Sequence, residues 1–326
     1  MLKARMAMLI RGAELGPLLS KVTQQVEDNF LRVRPPLNLT ADVGLRDGLL
    51  GLLGCYNPIW LRLGLEAVTL ESAPPHGGEA DALVLRRFAD HRVLQAPALQ
   101  LSPPNGRHAD EIARRAHARA LDAAHKLILT RVLSTILVLD QAKEERLVPS
   151  DPCLFCPLAP IKSTALIVAG FGRGFLSGGV GNLAQHLGGL GAPLRHEQTA
   201  LHEYDFLLRR PLAEEARDGA RLCRLVELTA LAGERQLVGA LRLPAASRLQ
   251  RLHNASLALQ AMAQASDDLS IDVHATAKRV VDGDAATVVH VVWSLACHLA
   301  VPALAPAARV ERETAAAHRA AAAAHR

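Results

Sequence analysis

Hydrophobic positions recur at helical spacing along most of this chain, and Pro, Gly and polar clusters punctuate them. The pattern predicts helix from the start to about residue 33, where Pro35-Pro36 stops any continuation. A second helix is predicted over about Ala41 to Leu53. Asn57 then offers a capping side chain and Pro58 a preset first turn for a helix through Trp60 and Leu65. From Asp110 to about Leu147 the residues Leu129, Val132, Leu133, Ile136 and Leu137 form one apolar stripe, which a partner surface has to cover. Further along, Leu222, Leu225, Val226 and Thr229 share one helical face, and Val288, Val291, Val292, Leu295 and Leu299 share another, with Asp284 placed to cap the second.

Residues 71–108 are rich in Pro, Gly, His and Ala and read as an irregular insertion. The prolines between Pro149 and Pro160 mark the best domain boundary, and from about Ala307 the chain is Ala-rich and reads as a frayed or solvated helix without a core of its own. The expected organisation is an N-terminal helical region 1–148, a helical domain 149–304 and an Ala-rich tail 305–326. No internal repeat is visible.

Composition narrows this picture. Of 326 residues, 50% are hydrophobic but only 3% aromatic, so the core has to be filled by Leu, Val and Ala, which suits helices better than a sandwich. Lys and Arg exceed Asp and Glu by 37 to 32, a formal charge of +5 that points weakly towards acidic partners. No basic cluster or aromatic platform of the kind that binds nucleic acid stands out. The 5 cysteines are odd in number and irregular in spacing, which favours a reducing compartment over a disulfide framework. Arg11 and Glu14 interrupt the first apolar run, so no secretory leader is expected, and the sequons at Asn38 and Asn254 are read as chance matches. His290, His298, Pro302 and Pro306 break the apolar stretch from Val288 to Ala308, which argues against a membrane span.

The most suggestive chemical motif is the apolar run from Ala165 into Gly170, Gly172 and Gly174, as at the start of a dinucleotide-binding unit. Its glycine spacing is wrong, and the residues around Glu197 do not read as the second strand that such a unit needs. Cys153 and Cys156 have metal or redox spacing, but no second cysteine pair completes a zinc site, so two buried thiols in a bent linker are expected. Ser177, within Gly174 to Gly178, misses the glycine spacing of a nucleophile elbow. Most of the histidines lie in polar context, and His253 is read at a helix junction where Asn254 caps the next helix. No catalytic residue, metal ligand or cofactor is predicted.

Four blocks arrive in the order of a calponin-homology domain. They are Asp218-Gly219 opening into Leu222, Leu225 and Leu228; Arg248 to Asn254 followed by Leu257 and Leu259; Val280 to Gly283; and Val291 to Leu295. Finer likeness is carried by Ser150 to Cys156, Gly174 to Gly178, His186 to Gly191 and Leu243 to Gln250, with Cys55 to Glu66 upstream. On these residues the chain resembles the abnormal spindle (microcephaly-associated) family around its first calponin-homology domain, over most of residues 37–300 apart from the insertion. It departs from the family in showing no Ile-Gln calmodulin-binding repeat and no room for a second calponin-homology domain.

The resemblance implies an all-α protein, a calponin-homology bundle with an additional N-terminal helical region, that binds the cytoskeleton without catalysing a reaction. It implies microtubule, spindle-pole, centrosome or axoneme association in the cytoplasm, other cytoskeletal proteins as partners, and neither nucleic acid nor membrane. Trp293 and the leucines around it become core residues. Gly170, Gly172 and Gly174 fall in the first helix, each costing about 1 kcal/mol relative to Ala, so that helix is expected to fray or kink. Charge beside the motif helices selects Arg209, Arg210, Arg248, Arg251, Lys278 and Arg279 as filament contacts. The alternatives are an actin-binding or scaffold module without filament affinity of its own and, less favoured, an enzyme using the glycine-rich turn as a nicotinamide or flavin site.

Overall fold

A computed structural model describes residues 2–70, 99, 111–177, 182–230, 237–265, 269–301 and 312–314. Most of the expected insertion and nearly all of the expected Ala-rich tail therefore lie outside the described residues. Among the described residues the protein is all-α: helices alternate with turns, and the pairings between extended segments are isolated bridges rather than strands. The chain divides into two compact units, Met1–Thr199 and Ala200–Arg326, each with its own hydrophobic core.

The described helices of the first unit are α1 (Leu2–Arg11), α2 (Leu15–Glu27), α3 (Val43–Leu53), α4 (Pro58–Thr69), α5 (Glu111–Glu144), α6 (Thr164–Phe175) and α7 (Leu183–Leu190). Local chemistry sets several of their starts. The Asp42 carboxylate accepts the Leu45 amide at 3.1 Å, and the Asn57 side chain accepts the Ile59 amide at 3.0 Å with Pro58 in the first turn. The expected stripe on α5 is fully inside: Leu129, Val132, Leu133, Ile136 and Leu137 are all buried. α2 and α4 supply its covering surface. Gly64 permits the approach of α4, because a Cβ there would stand 2.8 Å from Leu139 Cδ2.

The prolines between 149 and 160 end helix as expected, yet the chain does not leave the first unit there. The Trp60 indole donates to the Pro152 carbonyl at 2.9 Å, and the Asn57 amide donates to the Leu154 carbonyl at 2.8 Å. Gln198 closes both hydrogen bonds of the Phe155 backbone, accepting from its amide at 2.8 Å and donating to its carbonyl at 3.0 Å. Phe155, Ile167, Val168 and Phe171 all enter the same core as α5. The boundary between compact units thus falls at Thr199–Ala200, some forty residues beyond the proline cluster, because backbone groups on both sides of the cluster are satisfied by the first unit.

The glycine-rich segment is the regular helix α6. It neither frays nor forms a strand-to-turn nucleotide loop, which removes the basis for the dinucleotide reading. Two of its glycines serve packing: a Cβ on Gly170 would meet Leu52 at 3.3 Å, and one on Gly172 would meet Leu183 at 2.9 Å. Near the end of α5, the buried carboxylate of Asp140 accepts the backbone amides of Arg195 and His196, each at 3.2 Å. Burial raises its pKa, and these hydrogen bonds partly counter that rise.

The second unit contains α8 (Ala220–Ala230), α9 (Arg248–Ala265), α10 (Val273–Asp282) and α11 (Ala285–Leu295), with a short helical turn at Leu212–Glu215 running into a 3₁₀ turn at Ala216–Asp218. Leu222 and Val226 of α8, Ala258 and Met262 of α9, Val280 of α10 and Val288, Val291 and Leu295 of α11 meet in its core. Trp293 does not join them, being 67% exposed. Residues 288, 291 and 295 share one face of α11, whereas Trp293 stands with exposed Val289 on the other. Asn254, expected to cap a helix, sits inside α9 and is fully buried. Asp284 holds the capping position of α11, where its carboxylate accepts from the Thr287 hydroxyl at 2.5 Å and from Arg279 at 2.9 Å. The Thr287 bond first and the Arg279 bond second hold its pKa below the usual value.

Asp140→Ala leaves two amides of the first unit without an acceptor. It should lower stability by about 2–3 kcal/mol, read as a lower urea midpoint by circular dichroism with the helical signal of the folded state retained.

Candidate functional site

The second unit carries a cleft of about 480 Å³ lined by arginines and carboxylates, among them Arg209, Arg210, Arg217, Arg221, Arg251, Glu214, Glu215 and Asp218. Its geometry begins at Gly219. This residue has φ of +76°, and a Cβ would overlap the Ala255 amide and come within 2.7 Å of the Asn254 carbonyl carbon. Only glycine lets the turn before α8 press onto α9 in this way. Buried Asn254 then joins three segments: its amide donates to the Asp218 carbonyl at 3.0 Å and the Arg242 carbonyl at 3.3 Å, while its oxygen accepts the Arg242 amide at 2.9 Å.

Arg221, on the first turn of α8, organises one wall. Its side chain is only 18% exposed and pairs with Glu215 at 2.6 Å and, more distantly, with Asp218 at 3.6 Å. It also donates to the carbonyls of Asp205 and Leu207 at 2.8 and 3.2 Å and to the Tyr204 hydroxyl at 2.6 Å, and its guanidinium lies 5.1 Å from the centre of the Tyr204 ring. The Tyr204 hydroxyl donates in turn to the Asp218 carboxylate. Burial, followed by that bond, raises the phenol's pKa far above its ordinary value. The other oxygen of Glu215 accepts the Arg210 amide at 3.1 Å and the Arg209 amide at 3.4 Å. Residues 204–210 are thereby strapped to the start of α8.

Sequence reasoning selected Arg209, Arg210 and Arg251 in this cleft and missed Arg217 and Arg221. Arg209 is exposed and pairs with Asp205 at 2.9 Å. Arg210 is exposed, and among the described residues no carboxylate pairs with its side chain. Arg251 donates to the carbonyls of Ala245 and Ala246 at 3.1 and 3.0 Å, and Arg217 to that of Val281 at 3.0 Å. Backbone carbonyls hold these two guanidiniums in place without cancelling their charge. Arg248, Lys278 and Arg279 lie outside the cleft lining. Arg248 pairs with Asp282 and Arg279 with Asp284, each at 2.6 Å, whereas Lys278 is exposed on α10. Residues 205–209 are not helical, so the four-residue spacing of Asp205 and Arg209 did not by itself announce their pair.

Among the described residues no group of three or more His, Cys, Asp or Glu side chains is placed to hold a metal ion, and no helix is long and apolar enough to cross a membrane. Cys223, beneath the cleft wall, has its thiol pushed up to about 12, chiefly by burial.

Sequence comparison adds what geometry cannot. The chain is 36% identical over 291 residues, 88% of its length, to the mouse abnormal spindle-like microcephaly-associated protein homolog. It is 35% identical over 296 residues to the human abnormal spindle-like microcephaly-associated protein and 36% identical over 276 residues to Drosophila protein abnormal spindle. The chain belongs to the abnormal spindle family. It spans only a small part of these relatives: the matched regions cover 9%, 8% and 13% of the mouse, human and Drosophila proteins. No protein-family model matches the chain. No solved structure matches it either. Within the family region, the acidic-Gly opening of the resemblance is the turn at Asp218-Gly219 that sets the cleft.

Gly219→Ala forces a side chain into the Asn254–Ala255 backbone at a positive φ. It should destabilise the second unit by about 2–4 kcal/mol, seen as earlier loss of hydrogen-exchange protection in α8 and α9 with α5 protection unchanged.

Proposed function

We propose that this chain is a cytoskeletal-binding segment of the abnormal spindle type, that residues 149–304 include a calponin-homology domain, and that the segment associates with microtubules at the spindle pole or axoneme. Association, rather than catalysis, is its task. The observation that carries this reading is the uneven neutralisation of the cleft. Arg209 and Arg221 are matched by Asp205 and Glu215, while Arg210, Arg217 and Arg251 present positive charge with no carboxylate paired to it among the described residues. Preorganised, un-neutralised cations suit an acidic filament surface, and they favour encounter and register more than raw affinity.

Family membership supports the same reading, since the relatives are named for the spindle. The helical second unit, with ordered motif blocks placed on α8, α9, α10 and α11, supports the domain assignment. The remaining candidate contacts differ in cost. Arg248 and Arg279 would have to exchange exposed ion pairs with Asp282 and Asp284, each worth about 1 kcal/mol or less. Among the described residues Lys278 has no such pair to break.

Co-sedimentation of the intact chain with microtubules and, separately, with filamentous actin over a salt series tests the proposal. Pelleting with microtubules that fades as salt rises is expected. Pelleting with actin alone, or with neither filament, would replace it with the actin-binding or scaffold reading. Arg210→Glu should weaken microtubule binding roughly five-fold or more at low salt, with the thermal midpoint unchanged. Glu214→Gln, which removes a competing carboxylate, should strengthen it.

A further inference from the structure

Two short segments of the first unit meet as an antiparallel pair. Tyr56 bridges Phe155, with the Cys156 amide donating to the Cys55 carbonyl and the Asn57 amide to the Leu154 carbonyl, both at 2.8 Å. This bond pattern makes Tyr56 and Phe155 directly opposed, and their ring centres stand 4.9 Å apart. Cys55, in the turn that closes α3, and Cys156, next to Phe155, are set against each other by the 2.8 Å bond from the Cys156 amide to the Cys55 carbonyl. Opposed residues at such a position have Cα atoms roughly 5.5 Å apart, inside the range of roughly 4.4–6.8 Å that a disulfide spans. Both are thiols in this structure. Sequence spacing joins Cys156 to Cys153; the fold instead sets it against Cys55, 101 residues earlier in the chain.

The two sulfurs differ in access. Cys55 is 2% exposed, and its thiol donates to the Gly51 carbonyl at 3.4 Å, whereas Cys156 is only half-buried and its thiol lies 3.4 Å from the Tyr56 carbonyl. We propose that Cys55 and Cys156 form a redox pair that closes a disulfide between the two segments when a hydroperoxide reaches Cys156. The Cys156 thiolate attacks the peroxide, the O–O bond breaks, and the sulfur becomes a sulfenic acid while the departing oxygen leaves as water or an alcohol. The Cys55 sulfur then attacks the Cys156 sulfur. The S–S bond forms, the S–O bond breaks, and hydroxide leaves as water with the proton lost by Cys55. Two electrons pass from the two sulfurs to the peroxide.

Burial holds the Cys55 thiol above its ordinary pKa, so little of it is thiolate near neutral pH and the resolving step should speed up as pH rises. The new bond would tie the α3–α4 corner to the segment after α5, closing a loop that contains all of α4 and α5.

The test treats the reduced, full chain with hydrogen peroxide, blocks remaining thiols with N-ethylmaleimide and maps linked peptides by mass spectrometry without reduction. A Cys55–Cys156 link is expected as the main product. It should form equally in Cys153→Ser, be absent in Cys156→Ser, and be reversed by dithiothreitol with recovery of two thiols. A dominant link involving Cys153, or oxidation of Cys156 with no link to Cys55, overturns the proposal. Cys153→Ser keeps both sulfurs and the buried Cys55 in place, so a folding defect in a Cys55 variant does not decide the outcome.

Discussion

A guanidinium that is mostly buried has to be matched where it lies, and Arg221 is matched by two carboxylates, three backbone carbonyls and a phenol. Much else in the second unit follows from that requirement. Glu215 and Asp218 are committed to the wall, residues 204–210 are drawn onto α8, and the guanidiniums of Arg210, Arg217 and Arg251 are left at the cleft with no carboxylate of their own among the described residues. Breaking a buried pair by removing one partner strands the other charge, which costs far more than an exposed pair is worth. The cleft therefore holds two populations of charge: a set tied into its wall by carboxylates and a set that no described carboxylate pairs.

The constraint beneath that set is steric. Gly219 allows Asp218 and Ala220 to approach α9 closely enough for Asn254 to bond to Asp218 and Arg242 at once. In the first unit the corresponding constraint is the apolar stripe of α5, which α2 and α4 cover, with Gly64 admitting the closest contact. The segment from Pro149 to Thr199 adds to the same core through Phe155, Ile167 and Phe171.

Helices and caps were legible because their signals are local. Asn57-Pro58, the 129–137 stripe and the faces of α8 and α11 depend on residues within a few positions of one another. The unit boundary was not legible, because prolines report where helix stops and not which core satisfies the flanking backbone. Trp293 was misplaced for a similar reason: a large aromatic was assigned to the core by type, although its register sets it opposite Val291 and Leu295. At the candidate site, charge and proximity to motif helices found Arg209, Arg210 and Arg251, but could not separate neutralised from un-neutralised arginines. That distinction depends on Glu215, Asp218 and the carbonyls of residues 205, 207, 245, 246 and 281, which fold together from distant positions.

If the basic cleft of the second unit faces the filament, as proposed, microtubules should shield it. Hydrogen exchange of the intact chain, with and without a saturating excess of microtubules at low salt, is the decisive measurement. Slower exchange in residues 204–217 and 245–251, with α5 unchanged, is expected. Protection confined to the first unit, or no protection at the cleft while the chain is bound, would contradict it.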